Sequence, residues 1–295
     1  MQYYIIIVFA TILLALNFAV TKKYQKEQGA TIESGLKFNI ISGAISGLLF
    51  FFLNGFKLEI TAFSLAMITA MLIFAISYSL LGFKIMEGGK IALYIMFLMS
   101  GGMVVPYVWG ILFLNEPLTI LRSIGLILII AAVVICNGDN SKFDKKQVLL
   151  CCLVFVLNGF TSVVSKEHQI NPKATSTINY VILEGLMKSI LSLIVLIIIK
   201  TKQKFNNPTI TTINIKRFNG LTLLILSASA IINGCSFLLQ LIGAHELPAT
   251  VLYPIITGGT IIFTAIAGRI FFKEKITSKL AFGICICFIG TCLFL

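Results

Sequence analysis

Ten continuous apolar runs constrain this chain more than any other feature, because each is close to the about 20 residues that a helix needs to cross a bilayer. Lipid offers the backbone no hydrogen-bond partners, so each run is predicted to be an α-helix. Hydrophobic residues make up 58% of the 295 residues and charged residues only 12%, which excludes water-soluble and disordered chains. A transmembrane β-barrel would instead show alternating segments of about ten residues. The predicted spans are 3–20, 36–53, 62–83, 91–114, 118–137, 148–165, 178–199, 219–243, 249–272 and 279–295.

The basic residues predict how these spans are oriented. The net charge is +12, and eighteen of the 23 Lys and Arg residues fall in the odd-numbered loops, which join spans 1–2, 3–4, 5–6, 7–8 and 9–10. The even-numbered loops hold only four, which are Lys57, Arg122, Lys166 and Lys173. The positive-inside rule therefore places the odd loops in the cytoplasm and both termini outside, in a multi-pass protein of the cell membrane. We expect the basic residues to contact anionic lipid and not nucleic acid.

An internal repeat relates the two halves of the chain. At an offset of 158 residues, without a gap, the sequence from Gly101 matches the sequence from Gly259. Five spans per repeat is an odd number, so the second copy would enter the bilayer inverted relative to the first. We therefore predict an all-α membrane fold of two inverted five-helix repeats, 1–138 and 147–295. The matching pairs include Gly110 and Gly268, Phe113 and Phe271, Glu116 and Glu274, Thr119 and Thr277, and Gly125 and Gly283.

Ten spans in two halves, with a Glu-x-x-Thr word between the fourth and fifth span of each half, resemble the EamA family of the drug/metabolite transporter superfamily. The resemblance covers essentially the whole chain. It implies that spans 1–4 and 6–9 line a central cavity and that spans 5 and 10 pack at the periphery. It also implies transport of small metabolites, amino acids or drugs. The family usually keeps both termini in the cytoplasm, whereas the loop charges here place them outside.

Glu184 and Lys188 are the charged residues that lie deep inside a predicted span. They are one helical turn apart, on the same face, in the order that favours a Glu–Lys ion pair. Ionisable residues inside a membrane are costly and are commonly functional, so the pair is a candidate binding site for a zwitterion such as an amino acid. The alternative is a mutually neutralising pair that only helps the helix to pack.

Other polar residues recur at helical spacing on the remaining spans and cannot face lipid cheaply. They line either the cavity or helix–helix contacts. Pro106 and Pro254 are expected to kink spans 4 and 9, and Glu116 and Glu274 to cap the starts of spans 5 and 10. The further candidate substrate-binding residues are Asn17, Asn158, Asn233, Gln240, Tyr107, Trp109, Tyr253 and Thr257.

These features favour a secondary transporter that moves a small solute by alternating access, without ATP, and leave open a coupling proton or ion. The alternatives are a membrane scaffold or receptor that does not transport and, less well supported, a membrane-embedded enzyme, for which the sequence holds no catalytic motif. We expect a monomer or loose dimer that is not an enzyme. No cofactor, metal site or disulfide framework is expected, because the seven cysteines lie in or at the ends of apolar runs.

Overall fold

The computed structural model describes residues 1–29, 31–87, 91–137, 145–206, 219–273 and 277–294, and within these ranges the chain forms ten α-helices and no strands. Each helix overlaps one predicted span. Eight are long and apolar enough to cross a membrane, and α5 and α10 are shorter apolar helices. The all-helical membrane fold is thus confirmed. The helices are α1 (Gln2–Gln28), α2 (Ile32–Leu53), α3 (Ala62–Glu87), α4 (Ile91–Phe113), α5 (Ile120–Asn137), α6 (Lys145–Ile170), α7 (Thr177–Asn206), α8 (Gly220–Glu246), α9 (Ala249–Phe272) and α10 (Ser278–Cys292).

Short polar side chains begin several of these helices. Thr31, Asn219 and Thr277 precede α2, α8 and α10, and each accepts a hydrogen bond from the backbone N–H three residues later, at 2.8–3.2 Å. Such N-caps satisfy donors that the first helical turn leaves without partners. The α9 helix is different, since Pro248 at its N-cap position offers no side-chain hydrogen bond. Its first turn must be satisfied from elsewhere in the fold.

The α9 helix lies at the centre of the bundle, and every residue from Ala249 to Ile261 is buried. It packs against α1, α4, α5 and α10. By contrast, α5 and α10 are outer helices whose large apolar side chains are exposed, as expected of surfaces that contact lipid. The exposed apolar side chains on these two helices are Ile120, Leu121, Ile124, Ile127, Val134, Phe282, Phe288 and Ile289.

Hydrogen bonds and ion pairs define two opposite ends of the bundle. At one end the α2–α3 and α6–α7 loops meet, where the Thr61 hydroxyl donates to the Lys173 carbonyl at 3.2 Å. At the same end, Glu116 in the α4–α5 loop contacts the start of α9. We call this the α8–α9 end. At the other, the α1–α2 end, Lys200 near the end of α7 lies 3.3 Å from Glu33 at the start of α2.

A close approach between the backbones of two long helices joins α2 to α7. A Cβ atom added to Gly185 would lie 2.8 Å from the Gly47 nitrogen and 2.9 Å from the Gly43 oxygen. Such distances between backbones are possible only where side chains are absent, as in the small-residue contacts of membrane helices. Gly43 and Gly47 form a Gly-x-x-x-Gly motif, which is typical of such contacts. Its partner is Gly185, in the turn of α7 that also carries Glu184 and Lys188.

We expect Gly185→Ala to destabilise the protein by about 1–3 kcal/mol, because the added methyl would meet backbone atoms that cannot rotate away. This cost exceeds the about 1 kcal/mol that alanine gains over glycine inside a helix. The measurement is the thermal midpoint of the purified protein in detergent. Gly220→Ala is the matched control, since nothing lies within 4 Å of a Cβ at Gly220. An unchanged midpoint for Gly185→Ala would show that the α2–α7 contact tolerates separation.

Candidate functional site

Two adjoining cavities lie between α1–α3 and α6–α9. The inner cavity has a volume of about 390 Å³ and is bounded by α2, α3 and α6–α9. The outer cavity has a volume of about 360 Å³, is bounded by α1–α3, α7 and α8, and continues to Gly29 and Thr31 at the α1–α2 end. The two share part of their walls, so they meet inside the bundle. The shared residues are Asn39, Tyr78, Ser79 and Lys188.

The predicted ion pair lies where the cavities meet. The Lys188 Nζ is 3.0 Å from Glu184 Oε1, and the two side chains are 17% and 12% exposed. Glu184 lines the inner cavity, whereas Lys188 lines both. Gly43 on α2 leaves room for the lysine stem, since a Cβ there would lie 3.3 Å from its Cε. The pair is therefore shielded from bulk water but reachable from two sides.

Beyond the pair, about half of the residues that line the inner cavity are apolar. The others carry hydroxyl groups or are the two amides Asn39 and Gln240. Gln240 is held in place because its Nε2 donates to the Ser236 hydroxyl at 3.0 Å. Such a wall can pack against an apolar group in one part and hydrogen-bond a polar group in another. The apolar lining residues are Met71, Leu72, Ala75, Ile76, Phe237, Leu241, Ala244, Leu252 and Ile256.

The outer cavity is more polar and is lined by hydroxyls and amides from α1, α2 and α8. Asn17 and Asn233 form part of this wall, with the Asn17 Nδ2 donating to the Asn233 Oδ1 at 3.2 Å. The Ser229 hydroxyl donates to the Asn17 Oδ1 at 2.6 Å. These bonds fix the orientation of the two amides in the cavity wall. The outer cavity therefore offers hydrogen-bonding groups along its length toward the α1–α2 end.

Six of the ten predicted site residues line the two cavities. Glu184, Lys188, Gln240 and Tyr253 line the inner cavity, and Asn17, Asn233 and Lys188 line the outer one. The other four are not among the lining residues. They are Asn158, Tyr107, Trp109 and Thr257, of which Tyr107 and Thr257 are buried among neighbouring helices.

Asn158, Tyr107 and Trp109 each form a hydrogen bond to another helix. Asn158 on α6 donates to the Leu98 carbonyl of α4 at 2.7 Å. The Ser162 hydroxyl, one turn further, reaches the Gly102 carbonyl at 3.4 Å. Pro106 lies four residues after Gly102 and has no N–H to donate to that carbonyl, so α6 supplies the partner that α4 cannot supply itself. The amide of Asn158 thus contributes to the α4–α6 contact.

Of the four residues that line both cavities, only Lys188 was predicted, and Asn39, Tyr78 and Ser79 escaped the sequence reasoning. A signal for Asn39 was present, because Asn39, Ser42 and Ser46 form a polar stripe at helical spacing on α2. Gly43 and Gly47 on the same helix, however, are equally typical of a face that only packs against another helix. Tyr78 and Ser79 lie in a polar stretch of α3 that has no ionised residue to mark it.

Two charged residues at the α8–α9 end have unexpected partners. Lys166 was counted as a loop residue but lies inside α6, 5% exposed. Its Nζ donates to the carbonyls of Ala244 and Leu247 at 2.6 and 2.7 Å. Glu116, expected to cap α5, instead accepts the backbone N–H groups that begin α9. Glu274, expected to cap α10, lies outside the described residues.

Metal ligation has no obvious place in the described parts of the chain. No group of three or more His, Cys, Asp or Glu side chains is close enough there to hold an ion. His168 is fully buried, and its Nε2 lies 2.8 Å from the Ser64 hydroxyl. Its ring also lies 4.2 Å from that of Tyr180, between ring centroids. The contacts of this histidine are therefore those of a packed core residue.

We expect the ion pair to show strong coupling in a double-mutant cycle. Lys188→Met and Glu184→Gln should each lower stability, by up to about 3 kcal/mol, because each leaves one charge shielded from water without its partner. The double variant should lose less than the sum of the two. Thermal midpoints of the purified proteins test this. Lys37→Met is the matched control, since Glu33 keeps Lys200 at 3.3 Å when Lys37 is removed. Additive losses at Glu184 and Lys188 would show that the pair does not interact.

Comparison with known proteins identifies the family. The model of the EamA-like transporter family matches residues 145–295, a little more than half of the chain. A search of curated proteins finds no match. One solved crystal structure has a TM-score of 0.75 and 16% sequence identity, and the alignment covers 99% of this chain and 95% of that one. At this identity the likeness shows the fold alone. With the fold, the membrane helices and the family match in agreement, the chain belongs to the EamA-like transporter family.

Proposed function

We propose that the protein is a secondary transporter that moves a small zwitterionic solute with an apolar side chain through the two cavities. The observation that carries this proposal is the position of Glu184 and Lys188. They lie where the outer cavity, lined mainly by polar side chains, meets the inner cavity, in which about half of the lining residues are apolar. A concave site that combines apolar surface with a few oriented polar groups is the usual form of a small-molecule binding site.

The chemistry of the walls supports this class of solute. The ammonium group of Lys188 can bind a carboxylate, and the carboxylate of Glu184 can bind an amine. A solute that brings both charges can replace each partner of the ion pair and leaves neither charge alone in the cavity. Its apolar side chain would lie against Leu72, Phe237 and Ile256 in the inner cavity. A solute with one charge would leave the opposite charge of the pair unsatisfied, which is costly away from water.

Helix pairing supports two related halves and hence alternating access. If α1–α5 correspond to α6–α10, the contact of α1 with α8 corresponds to that of α6 with α3. The contact of α4 with α6 corresponds to that of α9 with α1. The α2–α7 contact and the α5–α10 contact each join equivalent helices of the two halves, so exchanging the halves leaves both contacts unchanged. The repeat pair Gly101 and Gly259 follows this rule, since Gly101 approaches α6 and Gly259 approaches α1. Inverted halves of this kind can exchange conformations and open to either side.

The distribution of charge supports a direction for the opening. Basic residues accumulate in the odd-numbered loops of the sequence, and the first of these loops joins α1 to α2, so we infer that the α1–α2 end faces the cytoplasm. The outer cavity continues to this end, at Gly29 and Thr31. The conformation described is then open toward the cytoplasm and closed toward the outside. A non-transporting scaffold would have no need of a polar entrance leading to a shielded ion pair.

The test begins with a thermal-stabilisation screen of the purified protein with amino acids, nucleosides, amines and organic phosphates. Exchange of radiolabelled leucine in proteoliposomes then measures transport. We expect Lys188→Met to reduce leucine exchange about tenfold, through loss of one charge-assisted hydrogen bond. Isopentylamine lacks the carboxylate and 4-methylpentanoate lacks the amine, so neither should compete with leucine as well as other apolar amino acids do.

Lys57→Met is the matched control for this experiment, because Lys57 is an exposed lysine of the α2–α3 loop. Its exchange rate should equal that of the native protein at equal amounts of reconstituted protein. Undiminished exchange in Lys188→Met would remove this lysine from the site. Native protein that is stabilised only by nucleosides or phosphates, and exchanges no amino acid, would contradict the proposed solute class.

A further inference from the structure

The turn between α8 and α9 is held by two charged side chains that reach it from other helices. Lys166 on α6 donates to the Ala244 and Leu247 carbonyls at the end of α8, at 2.6 and 2.7 Å. Glu116 in the α4–α5 loop accepts the N–H groups of Ala249 and Thr250, both at 2.7 Å. We propose that these two residues, which we call the turn clamp, keep the inner cavity closed at the α8–α9 end.

Electrostatics make the clamp specific for two helix ends. A helix carries a partial negative charge at its C-terminus and a partial positive charge at its N-terminus. The ammonium group of Lys166 therefore suits the end of α8, and the carboxylate of Glu116 suits the start of α9. Pro248 supplies no cap of its own, so Glu116 provides what the α9 sequence lacks. Gly110 leaves space for this carboxylate, since a Cβ there would lie 2.6 Å from the Glu116 Oε2.

The clamped atoms lie directly beside the cavity. Ala244, whose carbonyl binds Lys166, lines the inner cavity, and so does Leu252 in the first turn of α9. Moving the α8–α9 turn away from α6 would therefore open this wall. Lys166 is 5% exposed, and its ammonium group would lose both carbonyl partners if the turn moved away. Water would then have to enter and hydrogen-bond the ammonium group in their place. Release of the clamp and hydration of this part of the cavity therefore occur together.

Hydrogen bonds next to the turn clamp indicate which helices would stay together when the α8–α9 turn moves away. The Trp109 Nε1 donates to Glu167 Oε1 at 2.6 Å, which ties α4 to α6. The Ser64 hydroxyl lies 2.8 Å from the His168 Nε2, which ties α3 to α6. These contacts hold α3, α4 and α6 together on one side of the clamp, with the α8–α9 turn on the other. In the described residues α6 packs on α8, whereas α1 and α3 have no comparable contact around the outer cavity.

Because the clamp would act as the barrier of a transporter, this inference rests on the proposed function, but its test needs no solute. Ala75 lines the inner cavity, and Ala75→Cys provides a probe position. A membrane-impermeant maleimide is applied to intact cells and to inverted vesicles, and labelling at position 75 is measured by peptide mass spectrometry. Lys57→Cys and Lys23→Cys show which preparation exposes the α8–α9 end and which exposes the α1–α2 end.

We expect Lys166→Met to increase labelling of position 75 from the α8–α9 end about tenfold, the effect of losing the hydrogen bonds of a charged group. Lys173→Met, which removes an exposed lysine at the same end, should leave the rate unchanged. Glu116→Gln should also increase labelling, and Glu59→Gln, at an exposed position, should not. Labelling from the α1–α2 end should persist in all four variants and shows that they are folded.

Equal labelling of Lys166→Met and Lys173→Met from the α8–α9 end would overturn the clamp. If Lys166→Met does not reach the membrane, the comparison of Glu116→Gln with Glu59→Gln decides in the same way. Leucine exchange by the native protein, together with unchanged labelling in the variants, would overturn the clamp and leave the transporter standing. Increased labelling without exchange of any amino acid would support the clamp and count against the proposed solute.

Discussion

The contact between α2 and α7 positions the rest of the candidate site. Three glycines allow the two backbones to touch, and the turn of α7 that touches α2 is the turn that carries Glu184 and Lys188. A larger side chain at Gly185 would move both charges away from the wall. The same contact joins the first half of the chain to the second, since α2 and α7 are the second helix of each half. Helix association in lipid depends on such close packing, because burial from water contributes little there.

The α2–α7 contact places the ion pair between two walls of different composition. The outer wall is lined mainly by polar side chains, whereas about half of the residues of the inner wall are aliphatic or aromatic. Each charge of the pair is stabilised by the other, so a solute that separates them must offer a charge to both. Under the proposed function, selectivity for zwitterions would come from the cost of leaving either charge unpaired and not from the strength of one contact. The apolar part of the inner wall would add a second condition, on the side chain of the solute.

Sequence reasoning succeeded where the signal was local. Apolar runs predict membrane helices because the bilayer sets their length, and charges within such a run are conspicuous wherever their side chains point. Glu184 and Lys188 were therefore identified before their surroundings were known. Asn158 and Asn17 are of one residue type, yet only Asn17 lines a cavity, because Asn158 donates to a carbonyl of α4. That carbonyl belongs to the backbone, which is the same in every sequence, so no pattern could separate the two asparagines.

The same limit explains why Lys166 and Glu116 were misread. Both bind backbone groups of a distant turn, and a search for opposite charges nearby in sequence cannot find such partners. This choice of partner has a physical consequence for a moving part. An ion pair between two parts that separate leaves two unpaired charges when the parts move apart. When Lys166 or Glu116 separates from the α8–α9 turn, it leaves only one charge and the polar backbone groups of a helix end, and water can hydrogen-bond both. Hydrogen bonds between a charged side chain and a helix end are therefore strong in the absence of water and are easily exchanged for hydrogen bonds to water. A barrier that opens and closes in every transport cycle needs both properties.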